Sequence, residues 1–167
     1  AESDFSDNEA QQLEGILSTL SEYQYGQPLE PLNQFDGFIQ NFYEQPEALK
    51  IIEKNLCDFL VSSSASLPGK QHVCEELSII GSEKSISCLT KLLNEPETFD
   101  MALYALERIR IPEAEKAFLN QLDKSGGLSK VAVINSLGRR QSSRSVPELQ
   151  KLIYDNDPRI AEAAIAA

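Results

Sequence analysis

The sequence predicts an all-α chain, an α-solenoid of stacked antiparallel helical hairpins, and three observations predict it. A pair of leucines three residues apart returns every 30 residues, as Leu89 and Leu92, Leu119 and Leu122, and Leu149 and Leu152. Leu77, Ile86, Leu89 and Leu92 correspond to Leu137, Val146, Leu149 and Leu152 at an offset of two periods, and the small polar turn GSEKS returns as QSSRS. Apolar residues otherwise recur at the i, i+3, i+4, i+7 spacing of a helix face, with no strand pattern. Self-similarity at such a period marks units that bury their apolar faces only against neighbours.

At 167 residues the chain can bury roughly 70% of the surface its unfolded form exposes. No apolar run approaches the roughly 20 residues of a membrane-spanning helix, so no membrane insertion is expected. The net charge of −11 is unevenly placed. Residues 1–60 carry twelve Asp or Glu against Lys50 and Lys54, whereas residues 61–167 carry fourteen against thirteen Lys or Arg. Such an acidic third repels nucleic acid and anionic lipid and attracts basic partners, or serves solubility alone.

Taking the chain in order, residues 1–6 read as a frayed end. Asp7 or Asn8 can cap a helix with Leu13, Ile16, Leu17 and Leu20 on one face, to about Tyr23. A loop at about 25–31 follows, and then a second helix with Leu32, Phe35, Phe38, Ile39 and Phe42 inward, weakened by Gly37. These two helices are expected to form an acidic capping hairpin over residues 1–45.

Pro46 suits the first turn of a helix whose stripe is Leu49, Ile52, Leu56, Phe59 and Leu60. SSSAS is a surface turn, Pro68 opens a helix with Val73, Cys74, Leu77 and Ile80 inward, and Gly81 sits where a glycine cap is usual. Together these form the first repeat, about 46–81. The next, 82–110, pairs SEKSISCLTKLLNE with PETFDMALYALERI, in which Met101 or Ala102 points inward. The third, 111–141, pairs PEAEKAFLNQLDK with SKVAVINSLGRR. The last, 142–167, pairs SRSVPELQKLIYD with NDPRIAEAAIAA, has no stop signal after it, and is expected to be truncated. An exposed stripe around Ile160, Ala163 and Ala164 then invites self-association.

The turn, the L-x-x-L first helix, the acidic residues and proline before the second helix, and the alanine-rich second helix together resemble HEAT-like repeats. They are most similar to the short form of about 30 residues seen in phycobilisome lyase-type repeat proteins. SISCLTKLLNEPE, VAVINSLGRR and VPELQKLIYDNDPRIAEAAIAA carry the resemblance, which covers residues 46–167. It implies a right-handed α-α superhelix of the HEAT/armadillo kind. EYQYGQPLEPL and HVCEELSIIGSEKSISCLTKLL further resemble HEAT-repeat regions of predicted exported bacterial proteins, in some of which a sugar-processing domain follows. That resemblance implies an exported, periplasmic location; a chain beginning at Ala1 rather than methionine fits a processed exported protein and a trimmed chain equally well.

Reactive constellations are scarce, so no catalytic residue, cofactor or metal site is expected. Cys57, Cys74 and Cys88 form no CxxC pair, fit no zinc spacing with His72, and read as three buried free thiols. His72 is expected to point to solvent. Glu75 with Glu76 and Glu113 with Glu115 are adjacent on helices and diverge, and they read as solvated faces. Arg139, Arg140 and Arg144 suit the negative end of a helix dipole and lack the aromatic interleaving of a nucleic-acid site. Glu107 and Arg108 read as solvent-facing.

What remains is a surface. Aligning Leu77, Leu106 and Leu137 places Glu75, Tyr104 and Asn135 in one ladder along the concave side, and Gln71, Asp100 and Val131 in another. Gln71, Glu75, Asp100, Tyr104 and Asn135 are therefore the candidate protein-binding residues. Tyr104 could instead pack against a neighbouring hairpin, and Asn135 could bond backbone between repeats. The expected function is a non-catalytic interaction or scaffold module for a protein partner or a neighbouring domain. The alternatives are an accessory region of a larger enzyme, sugar-processing on the resemblance, and a purely structural spacer.

Overall fold

Ten α-helices and one short 3-10 turn make the fold, with no strand among the described residues; the computed structural model describes residues 5–167. The helices are α1 (Asp7–Ser21), α2 (Glu30–Gln40), α3 (Pro46–Val61), α4 (Leu67–Ile80), α5 (Glu83–Leu92), α6 (Pro96–Arg108), α7 (Pro112–Lys124), α8 (Gly127–Arg139), α9 (Val146–Leu152) and α10 (Pro158–Ala166). They gather into two compact units, residues 1–105 and 106–167. The first carries 18 Asp or Glu against five lysines, a balance of −13; the second carries eight against ten, a balance of +2. The acidity thus reaches well beyond residue 60 and belongs to one folded unit.

In the first unit α1 lies on α2, with Leu13 and Leu20 buried from one and Phe35 and Ile39 from the other. Of the predicted frayed end, residues 1–4 lie outside the described residues. Phe5 is buried, its ring meeting the edge of Phe42 at 5.3 Å and Phe38 at 6.4 Å. Burying an aromatic ring outweighs the entropy of ordering one residue. The cap of α1 is Ser6, one residue before the predicted Asp7 or Asn8. Its hydroxyl accepts from the Glu9 N–H while the Glu9 carboxylate accepts from the Ser6 N–H, a reciprocal capping box. The loop after α1 lies earlier than predicted, over residues 22–29, because Pro31 stands inside the first turn of α2 rather than ahead of it.

α4 is seated against the end of α1 by a close backbone approach. The Ser66 N–H donates to the Ser21 carbonyl at 2.8 Å, and a Cβ on Gly69 would come within 2.5 Å of the Leu20 carbonyl oxygen. Only glycine fits there. At the other end, Gly81 is extended (φ −60°, ψ 139°) and is no left-handed cap. The chain leaves α4 directly toward α5 instead.

α3 packs on both α4 and α5, and two links join it to α5. Glu53, inside the apolar face of α3 and 3% exposed, accepts from the Ser82 N–H at 2.7 Å, the Ser85 N–H at 3.0 Å and both serine hydroxyls. A carboxylate from one helix thereby accepts from amides at the start of another, where the dipole favours negative charge. Cys57 and Cys88 form a disulfide, with Cα atoms 5.6 Å apart. This corrects the expectation of three free thiols. Cys57 is one turn of α3 beyond Glu53, so the packing that brings α5 to Glu53 also brings Cys88 to Cys57. Cys74 alone is a free, buried thiol.

In the second unit α8 packs on α7 and α10, and α10 on α9. Glu115 of α7 accepts from the Ser142 hydroxyl in the QSSRS turn, as Glu53 does from Ser82 in GSEKS. The recurrence of that turn thus has a physical basis. Its serines supply donors to a glutamate on the preceding first helix, and Ser85 and Ser145 are both buried. The core here uses Phe118, fully buried, where the leucine period picks its half-buried neighbour Leu119. Ile160, Ala163 and Ala164 are covered rather than exposed, because α10 turns them toward α8 and α9; on that helix Ile165 faces water.

Arg139 and Arg140 hold the second unit together. Arg140 donates to the carbonyls of Leu106 (2.9 Å), Glu107 (2.9 Å), Ile109 (2.7 Å) and Ile111 (3.2 Å), and lies 5.6 Å over the Phe118 ring. One guanidinium thus gathers carbonyls from the last turn of α6 and from the segment just beyond it. Glu107 is not solvent-facing: Arg139 holds it with two hydrogen bonds of 2.7 and 2.8 Å, and Ser136 donates to it at 2.8 Å. These donors pull its carboxyl below the usual range against the opposing effect of burial. Arg140→Ala should lower stability by about 2 kcal/mol, and Arg140→Lys should recover little, because one ammonium cannot span four carbonyls. Urea unfolding of the two variants checks both expectations.

Candidate functional site

An open hollow of about 460 Å³ in the first unit is lined by Leu67, Gln71, Cys74 and Glu75 of α4, by Glu97, Asp100, Met101 and Tyr104 of α6, and by Tyr25 of the loop between α1 and α2. On each helix these positions fall on one face at helical spacing. The opposite faces are core: Val73, Glu76 and Leu77 on α4, and Ala102, Ala105 and Leu106 on α6, are buried. The choice between Met101 and Ala102 is thereby resolved, with Ala102 inward and Met101 in the hollow wall.

Four of the five candidate residues, Gln71, Glu75, Asp100 and Tyr104, come together here. Asn135 does not line the hollow. It is exposed on α8, and the hydrogen bond toward a neighbouring hairpin is made one residue on, by Ser136 to Glu107. Tyr25, Leu67, Cys74, Glu97 and Met101 were missed as site residues. A tyrosine in a polar loop was the available signal for the first of them. For the α6 residues it was their helical spacing with Asp100 and Tyr104.

A chain of polar contacts braces the wall. The Tyr25 hydroxyl donates to the Gln71 side-chain oxygen, and the Gln71 amide donates to Glu75 at 3.4 Å. His72 does not point to solvent. Its Nε2 is 2.6 Å from Asp36 of α2, its Nδ1 is 3.3 Å from Glu75, and its ring meets Phe35 edge-on. Glu75 is therefore held from both sides, while among the described residues Glu97 and Asp100 take part in no salt bridge.

Behind the wall, Glu76 is buried rather than solvated and accepts from the Tyr43 hydroxyl at 2.8 Å. Burial raises the Glu76 carboxyl above its usual range, and burial together with Glu76 pushes the Tyr43 phenol up to about 12. A raised carboxyl has a direct consequence for stability: Glu76 stabilises the fold below its unfolded pKa and loses that contribution as pH rises through the folded value.

The surfaces offered to a ligand are apolar and anionic. Tyr25 is 69% exposed, Tyr104 42% and Leu67 37%, so three large side chains remain in water around one depression. Glu75, Glu97 and Asp100 supply negative charge, and none of the nine lining residues is a cation. The nearest lysine on α4 is Lys70, whose charge is felt at Cys74. The Cys74 thiol is pushed up to about 12, first by burial and then by Glu75, so it stays protonated and is no nucleophile. Among the described residues no three His, Cys, Asp or Glu side chains converge to hold a metal ion, and no helix is long and apolar enough to cross a membrane. The hollow can seat a side chain or a short peptide, with its apolar part on Leu67, Met101 and the tyrosines and its polar part on the carboxylates. No protein-family model matches the chain, and no curated protein matches it either.

Proposed function

We propose that the protein is a non-catalytic interaction or scaffold module, built as a HEAT-like α-solenoid, which docks a protein partner or a neighbouring domain in the hollow between α4 and α6. The observation that carries this reading is the convergence of Gln71, Glu75, Asp100 and Tyr104 with two further exposed side chains, Tyr25 and Leu67, around one open depression. Solenoids commonly bind through the faces of their second helices, and tyrosine supplies contact area at low entropic cost. Within each unit, repeat-like links support the solenoid reading: Glu53 to Ser82 in the first and Glu115 to Ser142 in the second. A purely structural spacer gives no reason for Tyr25, Leu67 and Tyr104 to remain in water together.

Changing Tyr104 and Glu75 together to alanine should reduce capture of the native partner by about tenfold while leaving helical content and thermal midpoint unchanged, since both side chains are exposed. Quantitative crosslinking in the native cell, compared with the unaltered protein, measures it. Unchanged capture removes this surface from consideration.

A further inference from the structure

We infer that the hollow receives a lysine or arginine side chain presented by an extended basic segment of another protein. This deepens the docking reading and rests on it. Four features of the hollow select that occupant over others.

Charge complementarity is the first. Glu75, Glu97 and Asp100 face the depression without a lining cation, and Glu97 and Asp100 have no salt-bridge partner among the described residues. They sit in a unit whose balance is −13, which steers positive partners toward it and repels phosphates and acidic peptides. The second is the spread of that charge. The carboxylates do not converge into a metal-holding group, so they suit an organic cation with a long stem better than a compact ion.

The third is the company they keep. Lysine and arginine carry an apolar stem beneath a charged head, and the hollow offers Leu67, Met101 and two tyrosine rings beside its carboxylates. A cation near a tyrosine face gains from the ring quadrupole as well as from the carboxylate, and gains most where water is partly excluded. The fourth is size. About 460 Å³ exceeds what one such side chain fills, leaving room for flanking backbone beside the Gln71 side chain, which already both accepts and donates. A peptide uses that room and a small free cation does not.

The test is fluorescence anisotropy at low and at physiological salt on the whole chain. The probes are a fluorescein-labelled decapeptide of lysines among alanines and leucines, its arginine form and its glutamine form, with free spermidine as competitor. The lysine and arginine peptides should bind about tenfold more tightly than the glutamine peptide. Glu97→Gln with Asp100→Asn should weaken them about tenfold, as should Tyr104→Ala. Glu14→Gln with Glu22→Gln removes the same charge from two exposed sites, one on α1 and one at its C-terminal cap, and should change binding less than about twofold.

Equal weakening by the α1 pair would show that only the net charge of the unit attracts the probe, and would overturn the inference. A glutamine peptide that binds as well as the lysine one, and is lost in Tyr104→Ala, would leave docking in the hollow standing and overturn its cationic occupant. Displacement by spermidine at concentrations below those of unlabelled peptide would overturn the peptide in favour of a small cation. No binding by any peptide would overturn the inference, while the crosslinking comparison of Tyr104 and Glu75 still decides the docking reading by itself.

Discussion

Replacing Glu53 by alanine is expected to cost the protein about 3 kcal/mol, because the change removes one buried acceptor and leaves several donors unsatisfied. The N–H of Ser82, the N-cap of α5, and that of Ser85, in its first turn, both end on this carboxylate, and the Ser85 N–H also reaches the Ser82 carbonyl at 3.0 Å. Glu53→Gln keeps an acceptor oxygen and the side-chain shape but loses the charge, so about half of that cost should remain. Chemical denaturation of the three proteins, followed by circular dichroism, measures the series. If the alanine variant lost less than about 1 kcal/mol, the serine turn would have to find other acceptors, and Glu53 would be no more than a tolerated buried charge.

A loss of similar size, about 3 to 4 kcal/mol, is expected when the Cys57–Cys88 disulfide is removed, because it closes a loop with a sequence separation of 31 and restricts the unfolded chain. Adding a reductant to the native protein and mutating both cysteines to alanine should give the same lowered midpoint, and the double variant should be insensitive to reductant. Under native conditions Cys74 should stay unreactive to thiol reagents, since it is buried and its thiol is pushed up to about 12; it should react once the chain unfolds. Two titratable thiols beyond Cys74 in freshly isolated protein would show the pair reduced. Disulfides of this kind persist in oxidising compartments, so the same titration on protein taken from its native cell reads the compartment directly.

The two variants probe one contact surface, that of α3 on α5, by different physics. Glu53 acts in the folded state, where it satisfies backbone donors. The disulfide acts chiefly on the unfolded ensemble. Combining the two changes should give less than the sum of their separate losses, because both depend on how α5 is held against α3.

Much of the helical layout was legible in the residues. Leu13 and Leu20, Phe35 and Ile39, Ile52 with Leu56 and Leu60, and Leu89 with Leu92 are all buried as their spacing predicts, and Pro46 opens α3 where a proline is tolerated. Four of the residues that line the hollow could be grouped from the sequence too, through the register that aligns Leu77 with Leu106. Glu53 lies on the same face as Ile52 and Leu56, and a charge inside an apolar stripe was a signal that it meets a polar partner. Cys57, His72, Glu76 and Glu107 gave no local sign of their partners Cys88, Asp36, Tyr43 and Arg139, which lie about 30 residues away along the chain.

By itself, then, the sequence determined that the chain is helical, where most helices run and which stripe of each turns inward. Those properties follow from spacings of three and four residues, and a helix of fixed pitch converts such spacings into faces without reference to anything else. Only the tertiary structure decided which polar side chains are buried, which thiols meet and which exposed side chains share one hollow. Each of these depends on how one helix is laid against another. A shift of one turn, about 5 Å, would separate Glu53 from its serines and Cys57 from Cys88, and would leave every periodicity in the sequence unchanged.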